Sequence, residues 1–217
     1  LEELDAIVKS FDPQGVISGE GAMTKDLIQV ADVDFRNVNV TSIAAVFAII
    51  LISFGSVSIP VLLVGAIESA IAINMGIPYF TGTELPFVAS IVVGTIQLGA
   101  TVDYAILTTT RFKEELEKGA SVKEAAHIAV EQCSQSILTS GLTFFAATAS
   151  VAAISQMELI SSLCHLISRG ALISMAVIIL ILPALLIVFA PVIAHTTRHW
   201  PKPGKAEAAA AAPAQPG

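Results

Sequence analysis

Charged side chains are scarce in this chain. Asp, Glu, Lys and Arg make up 13% of its 217 residues, whereas a soluble domain carries about 25% charged residues. Hydrophobic residues make up 54%, and the mean hydropathy is +0.79. This balance lies outside the range of ordinary soluble domains and indicates an integral membrane protein.

Basic residues are few, and they are not clustered with aromatic residues. The chain has 11 Lys and Arg residues against 18 Asp and Glu residues, which gives a formal net charge of −7. The acidic excess comes largely from residues 1–37, a polar and solvated segment. This distribution argues against a nucleic-acid partner and gives no sign of a partner selected by charge.

Motifs of catalysis and of cofactor binding are missing as well. The sequence contains no nucleophile elbow, no phosphate-binding P-loop and no HExxH pair, which argues against an enzyme. The histidines are dispersed and lack the spacing of metal ligands; they are His127, His165, His195 and His199. We therefore predict neither a bound metal nor a cofactor.

The two ends of the sequence also lack distinctive features. It begins at Leu1, with neither an initiator Met nor a secretory signal peptide, so we expect a fragment or a natural split protein. Residues 1–37 are expected to be the end of an external domain. Residues 194–217 include a tail rich in Ala and Pro, which we predict to be cytoplasmic and disordered.

What the chain has instead is a series of five apolar runs, each long enough to cross a hydrocarbon core about 30 Å thick. We place them at about 38–55, 59–76, 86–108, 136–155 and 168–192, within a transmembrane domain of residues 38–193. The charged stretch at about 112–134 predicts an amphipathic helix on the membrane surface. The predicted fold class is an all-α membrane protein with five transmembrane helices and a cytoplasmic interfacial helix.

Lys and Arg residues give the orientation of these helices. They follow the third and the fifth runs, and the positive-inside rule makes that side cytoplasmic; they include Arg111, Lys113, Lys118, Lys123, Arg198, Lys202 and Lys205. Residues 1–37 and the loops at 77–85 and 156–167 are then external. Cys133 and Cys164 fall on opposite sides of the membrane in this topology, so we expect no disulfide between them.

Asp103 lies within the third apolar run, where a carboxylate costs roughly 2.5–3.5 kcal/mol even on lenient insertion scales. One interpretation is a group that binds and releases a proton, because ionisation of a carboxyl group depends on the water and charges around it. The other is a structural carboxylate that neighbouring helices hold by hydrogen bonds. We favour the first, because ionisable residues within membrane helices are functional by default.

Polar residues accompany Asp103 in the third run. Tyr104 follows it directly, and its phenol can donate or accept a hydrogen bond. Gln97 and Thr101 add polarity that hydrocarbon alone would not favour, and we interpret both as a polar relay or support for the carboxylate.

Small residues in the third and fourth runs predict close helix packing. Gly94 and Gly99 leave a smooth surface on the third run, where another helix can approach. In the fourth run, Ser140, Gly141 and Thr143 belong to a surface of small and hydroxyl residues. We expect this surface to pack closely and to complete hydrogen bonds across helices, with some of its hydroxyl groups facing Asp103.

Two further ionisable residues lie in apolar surroundings. Glu68, in the second run, is either a second relay point or a structural hydrogen-bond partner for groups such as Gln97. Arg169 lies at the start of the fifth run, where we expect it to anchor the helix in the lipid headgroups, with a salt bridge to Glu158 or Glu84 as the alternative.

Several of these segments resemble one known family. Gly99-Ala-Thr-Val-Asp103-Tyr104, followed by Arg111-Phe-Lys-Glu-Glu115, resembles the fourth-helix signature of the RND superfamily, specifically of its MMPL-type lipid exporters. Residues 136–143, 168–174 and 182–186 resemble the fifth and sixth helices of that family, and residues 16–26 resemble the close of the preceding external domain. The resemblance covers about residues 16–193.

The resemblance implies a mechanism that the chain carries only in part. The family has two similar halves, and this chain matches helices 2–6 of one half, which we expect to be the C-terminal half. The Asp-Tyr pairs of the two halves meet at the centre of the bundle and relay protons inward, which drives lipids or other hydrophobic compounds through the external domains. Asp103 is then the proton-coupling residue and Tyr104 its hydrogen-bond partner.

The predicted function is therefore part of a multi-pass exporter in the bacterial cell membrane that is driven by the proton gradient. Its partners are the membrane, a lipid or other hydrophobic substrate, and the other half of the transporter. A rival prediction is a sterol-sensing-like module that binds membrane lipid and regulates a partner. A third is a passive structural or assembly subunit.

Overall fold

The computed structural model describes residues 2–15, 17, 19–83, 85–86, 88–197 and 200. These residues form helices and turns, and they contain no strand. From residue 201 onward, the tail that we predict to be disordered lies outside the described part of the chain.

The described residues contain seven α-helices in chain order. They are α1 Glu2–Phe11, α2 Glu20–Phe54, α3 Ser58–Thr81, α4 Ala89–Glu117, α5 Val122–Ile154, α6 Glu158–Ala176 and α7 Leu182–Thr196. A π-helical turn, Val177–Ile181, joins α6 to α7, so that Glu158–Thr196 is one continuous helix.

Five helical segments are long and apolar enough to cross a membrane. They are Val33–Phe54, Ser58–Thr81, Ala89–Glu117, Val122–Ile154 and Glu158–Thr196. Each overlaps one of the five apolar runs in the expected order. The first spanning segment begins at Val33 within α2, and α6 begins ten residues before 168. The all-α fold class with five membrane-spanning helices is therefore confirmed.

The separate interfacial helix expected at about 112–134 is not confirmed. Instead α4 continues to Glu117 and α5 begins at Val122. The chain reverses between them at Gly119, whose φ of 96° favours glycine, and the Ser121 side chain caps α5. Ion pairs between residues three or four apart favour this extension of α4; they are Arg111–Glu114 and Lys113–Glu117.

Helix α4 lies at the centre of the bundle, in contact with α2, α3, α5 and α6. The helices pack around a core of fully buried aliphatic and aromatic side chains, which include Ile59, Leu63, Ile67, Phe112, Ile137, Leu182 and Leu186. Small and branched side chains bring the helices into close contact, which matters here because lipid tails are as apolar as the side chains themselves.

One end of the bundle is closed by polar and aromatic contacts, and we call it the cytoplasmic end on the basis of the Lys and Arg distribution. Ser56, in the turn between α2 and α3, accepts a hydrogen bond of 2.7 Å from Thr197 just after α7. The ring of Phe112 in α4 lies 6.3 Å from that of Trp200, measured between centroids. The end of the last helix is thereby attached to α4 and to the α2–α3 turn.

The π-helical turn lies directly before Pro183. Proline has no N–H group and removes one hydrogen bond from a regular helix, and a wider turn redistributes the carbonyl groups that lose their partner. Val177 and Ile178 of this turn are buried in the bundle. The local irregularity therefore lies at a packed position.

Replacement of Phe112 by Ala tests the closure of the cytoplasmic end. Phe112 is 0% exposed, so we expect Phe112→Ala to lower the free energy of unfolding by about 3 kcal/mol. Thermal unfolding of the purified protein in detergent measures the change. The matched control is Phe80→Ala, at an aromatic side chain that is 85% exposed. Equal melting temperatures for the two variants would contradict the packing described here.

Candidate functional site

A buried hydrogen-bond network joins α3, α4 and α6. The side-chain amide of Asn74 donates to Gln97 Oε1 at 2.9 Å and to the carbonyl oxygen of Leu166 at 3.1 Å. Gln97 in turn donates from Nε2 to Ser174 Oγ at 2.9 Å. Asn74, Gln97 and Ser174 are all buried, so water does not compete for these hydrogen bonds.

Arg169 completes the network. Its Nε donates to Asn74 Oδ1 at 3.0 Å, and its Nη2 donates to the Asn74 carbonyl oxygen at 2.9 Å. Asn74 thus uses both amide hydrogens, its side-chain oxygen and its backbone oxygen. Asn74 is therefore the centre of the network, with partners on two other helices.

Arg169 lies well inside its helix and bonds to Asn74, whereas we expected it at the start of the helix; its role as an anchor in the lipid headgroups stays a prediction. Arg169 lies eleven residues after Glu158, the first residue of α6, which corresponds to about 16 Å along the helix. Its guanidinium group is turned inward, toward Asn74. Within the described residues it makes no ion pair with Glu158, and Glu84, the other predicted partner, lies outside them.

Gly170 allows the network to form. A Cβ atom at this position would lie 2.5 Å from Asn74 Nδ2 and 2.5 Å from Gln97 Oε1, closer than real Cβ contacts. Neither Gly170 nor Ser174 was predicted as a site residue from the sequence. The signal was present in the sequence, as polar and small residues at matching depths of three otherwise apolar runs.

Gln97, Thr101 and Tyr104 lie on one face of α4, four and then three residues apart. Thr101 donates to the Gln97 carbonyl oxygen at 2.5 Å, and the Tyr104 hydroxyl bonds to Ser140 Oγ on α5 at 2.8 Å. Gln97, Thr101, Tyr104 and Ser174 line a small cavity of about 10 Å³, which is close to the smallest space that holds one water molecule. The predicted polar support residues Gln97, Thr101 and Ser140 are thus close to Tyr104.

Asp103 lies on the neighbouring face of α4, which is exposed. Its face includes Ile96, Gly99 and Leu107 at intervals of three and four residues, and no atom lies within 4 Å of a Cβ built on Gly99. Asp103 makes no hydrogen bond or ion pair with any described residue. A mid-span carboxylate therefore stands on the outside of the five-helix bundle.

Hydroxyl groups of α5 continue this exposed surface next to Tyr104. Thr139, Ser140 and Thr143 are exposed, and Thr143 donates back to the Thr139 carbonyl oxygen at 2.7 Å. The hydroxyl groups of Thr139 and Thr143 donate to carbonyl oxygens of their own helix, and that of Ser140 bonds to Tyr104. The predicted contact between Thr143 and Asp103 stays a prediction.

The predicted packing glycines differ in their surroundings. A Cβ at Gly141 would lie 3.0 Å from Met175 Sδ, which places α5 and α6 in close contact. Nothing within the described structure lies within 4 Å of a Cβ at Gly94. Gly94 lies beside α2, near Phe35 and Val38, whereas Gly99 is exposed, and a packing role for both glycines stays a prediction.

Glu68 on α3 is not part of the network. Gln97, which we considered as its partner, bonds to Asn74 and Ser174 instead. The Oε1 atom of Glu68 is buried and has no hydrogen-bond partner among the described residues. Within the same residues, no group of three or more His, Cys, Asp and Glu side chains has the geometry of a metal site.

These features define a class of protein: a multi-pass membrane protein with a buried polar centre and a carboxylate on an exposed mid-span face. Comparison with known sequences gives the family. The sequence profile described as "MMPL family" matches residues 2–214, and the chain belongs to this family.

Three relatives show what part of such a protein the chain represents. It is 31% identical over 131 residues to the putative membrane protein SCO6666 of Streptomyces coelicolor and 30% identical over 140 residues to the putative membrane protein YdgH of Bacillus subtilis. These matches cover 58% and 60% of the chain and 18% and 15% of the relatives.

The third relative is named as a mycolic acid-containing lipids exporter, MmpL11 of Mycolicibacterium smegmatis. It is 25% identical over 201 residues, which cover 89% of this chain and 20% of the relative. The chain thus spans about a fifth or less of the length of these three proteins.

Replacement of Gly170 by Ala tests the close approach at the network. The added methyl group must displace Asn74 and Gln97, so we expect Gly170→Ala to cost about 1–3 kcal/mol and to lower the melting temperature in detergent by several degrees. Gly65→Ala is the matched control, because it also lies within a spanning helix and has no atom within 4 Å of the new Cβ. A stable Gly170→Ala protein would show that the network does not need this contact.

Proposed function

We propose that this chain is the transmembrane part of a transporter that exports lipids or other hydrophobic compounds and is driven by the proton gradient, with Asp103 as the proton-coupling residue. The observation that carries the proposal is the position of Asp103, in the middle of a spanning helix and on an exposed face. Its neighbour Tyr104 donates a hydrogen bond to Ser140 on α5.

Lipid is an unsuitable environment for this face. Charged residues in membrane helices almost always face a bundle interior or a wet cavity, since their transfer to hydrocarbon is costly. Gly99 leaves the surface beside Asp103 open to close approach. The face is therefore suited to a second helical surface, which we take to be the other half of the transporter.

The lengths of the relatives support this assignment. They are five or more times longer than the segment that matches this chain, which leaves room for a second set of helices and for external domains. We take the chain to correspond to helices 2–6 of the C-terminal half, and residues 1–37 to be the end of an external domain.

The arrangement around Tyr104 is suited to the transfer of a proton. The Tyr104 hydroxyl donates to Ser140, and the small cavity beside it is also lined by Gln97, Thr101 and Ser174. A water molecule in this space would have polar residues of α4 and α6 beside it. Asp103 takes up the proton. Tyr104 and its hydroxyl partners orient the water molecule that delivers or accepts this proton.

The substrate class follows from the family. MmpL11 is named as an exporter of mycolic acid-containing lipids, and we extend only its general chemistry, a lipid or hydrophobic compound, to this chain. Glu68 is a second intramembrane carboxylate with an unpartnered oxygen, and we assign it to support rather than to coupling because it is not bonded to the network.

Replacement of Asp103 by Asn tests the proposal in the full-length gene product. The amide keeps the size of the side chain but cannot bind and release a proton near neutral pH. We therefore expect efflux driven by a proton gradient to fall to background. Proteoliposomes with an imposed pH gradient give the rate, and size-exclusion chromatography shows whether the fold is kept. Glu117→Gln is the matched control, since Glu117 is an exposed carboxylate on the same helix that pairs with Lys113.

Two other outcomes would favour the rival functions. Lipid binding that needs no proton gradient, without efflux, would point to a sterol-sensing-like regulatory module. Full activity with both Asp103 and Glu68 replaced would point to a passive assembly subunit.

A double-mutant cycle tests whether Tyr104 acts through Ser140. Tyr104→Phe removes the hydroxyl group and Ser140→Ala removes its partner, so we expect each to slow proton-driven efflux and the double variant to be no slower than Tyr104→Phe. Ser150→Ala, at an exposed α5 hydroxyl bonded only within its own helix, is the control. Additive losses in the double variant would show that the two residues act independently, which would contradict the prediction.

A further inference from the structure

A cavity lies at the external end of the bundle, away from Asp103. Its volume is about 520 Å³, within the range of sites that hold small molecules. Its walls come from the end of α3, the start of the chain leading into α4, the outer part of α5 and the first half of α6. Nothing in the proposed transport mechanism uses it.

Apolar side chains are half of the ten residues that line the wall. They are Pro78, Leu85, Phe145, Leu166 and Leu172. Leu166 also packs against Ala89 and Val93 in a small second core at this end of the bundle. These apolar side chains are suited to an acyl chain, since they offer it hydrocarbon contacts.

Arg169 gives the cavity a positive charge at a fixed place. Asn74 accepts hydrogen bonds from Nε and Nη2 of Arg169, which fixes the plane of the guanidinium group. An arginine has five N–H groups, so three of them have no partner among the described residues. Arg169 lines the cavity, and its remaining N–H groups are free to donate to a ligand there.

The other polar groups on the wall do not neutralise this charge. They are Thr83, Ser162, His165 and Ser168, which include no carboxylate. His165 precedes Arg169 by four residues and therefore lies on the same side of α6. No described residue forms an ion pair with Arg169, and a cation without a counter-ion is costly within a membrane, so an anionic ligand is suited to this place.

We propose that this cavity binds an anionic lipid, with its phosphate on Arg169 and one acyl chain against the apolar wall. A planar guanidinium group binds phosphate through two parallel hydrogen bonds, and the fixed position of Arg169 favours that geometry. The site lies within the external half of the helices, so lipid of the outer leaflet can reach it. It requires neither Asp103 nor a proton gradient.

Lipid retention by the full-length gene product tests the proposal. The protein is purified in detergent and titrated with phosphatidylglycerol or with phosphatidylcholine of the same acyl chains, and native mass spectrometry counts the lipids bound. We expect phosphatidylglycerol to be retained at least tenfold better than phosphatidylcholine. Arg169→Gln should remove this preference, and Arg169→Lys should restore only part of it, because an ammonium group lacks the planar fork.

A second variant keeps the test decisive if Arg169→Gln disturbs the network. Ser162→Trp fills the cavity from its wall and leaves the Arg169–Asn74 hydrogen bonds in place, so it should abolish retention of phosphatidylglycerol. Thr81→Trp is the matched control, because Thr81 is exposed at the same end of the bundle and does not line the cavity. Asp103→Asn should retain the lipid fully, which separates this proposal from proton coupling.

Three results would overturn the proposal. One is equal retention of phosphatidylglycerol and phosphatidylcholine. Another is unchanged retention in both Arg169→Gln and Ser162→Trp. The third is displacement of the lipid by millimolar inorganic phosphate, which would show that the site recognises a free anion and makes no use of the apolar wall.

Discussion

The hydrogen bonds of Asn74 are the interaction on which the rest of the structure depends. A polar side chain at the centre of an apolar bundle is tolerated only when its donors and acceptors are satisfied. Asn74 meets this condition with partners on α4 and α6, and those partners fix how far apart the three helices lie. Apolar contacts alone would fix it less well, since the side chains pack against lipid nearly as favourably as against one another.

Two functional regions follow from this fixed geometry. On the external side, Asn74 positions the guanidinium group of Arg169 at the wall of the large cavity. On the other side, Gln97 extends the network to Ser174 and, through the shared face of α4, toward Thr101 and Tyr104. The same residue thus organises a site suited to lipid and a polar column beside the proposed coupling carboxylate, although the two sites use different chemistry.

The sequence was sufficient for the fold class and insufficient for the pairing of its polar residues. Length and apolarity of each run depend on one segment at a time, so five spanning helices could be predicted. The partners of Gln97 depend on which helix faces which, and periodicity does not contain that information. The position of Arg169 was missed for a related reason. An apolar run placed at about 168–192 put this residue at a membrane interface. The helix begins at Glu158 instead. Its first turns are amphipathic rather than uniformly apolar, so a search for apolar runs does not find them.

The π-helical turn has a consequence for the rotation of the last helix. Buried residues recur at every fourth position from Leu166 through Gly170, Ser174 and Ile178 to Leu182 and Leu186. A regular helix of about 3.6 residues per turn would carry such a series steadily around its axis and away from the bundle. The wider turn at Val177–Ile181 takes up part of that drift. Loss of a single residue there would turn everything beyond it by about 100° and move Leu182 and Leu186 out toward lipid, so the chain length between Ser174 and Pro183 is as strictly set as any side chain.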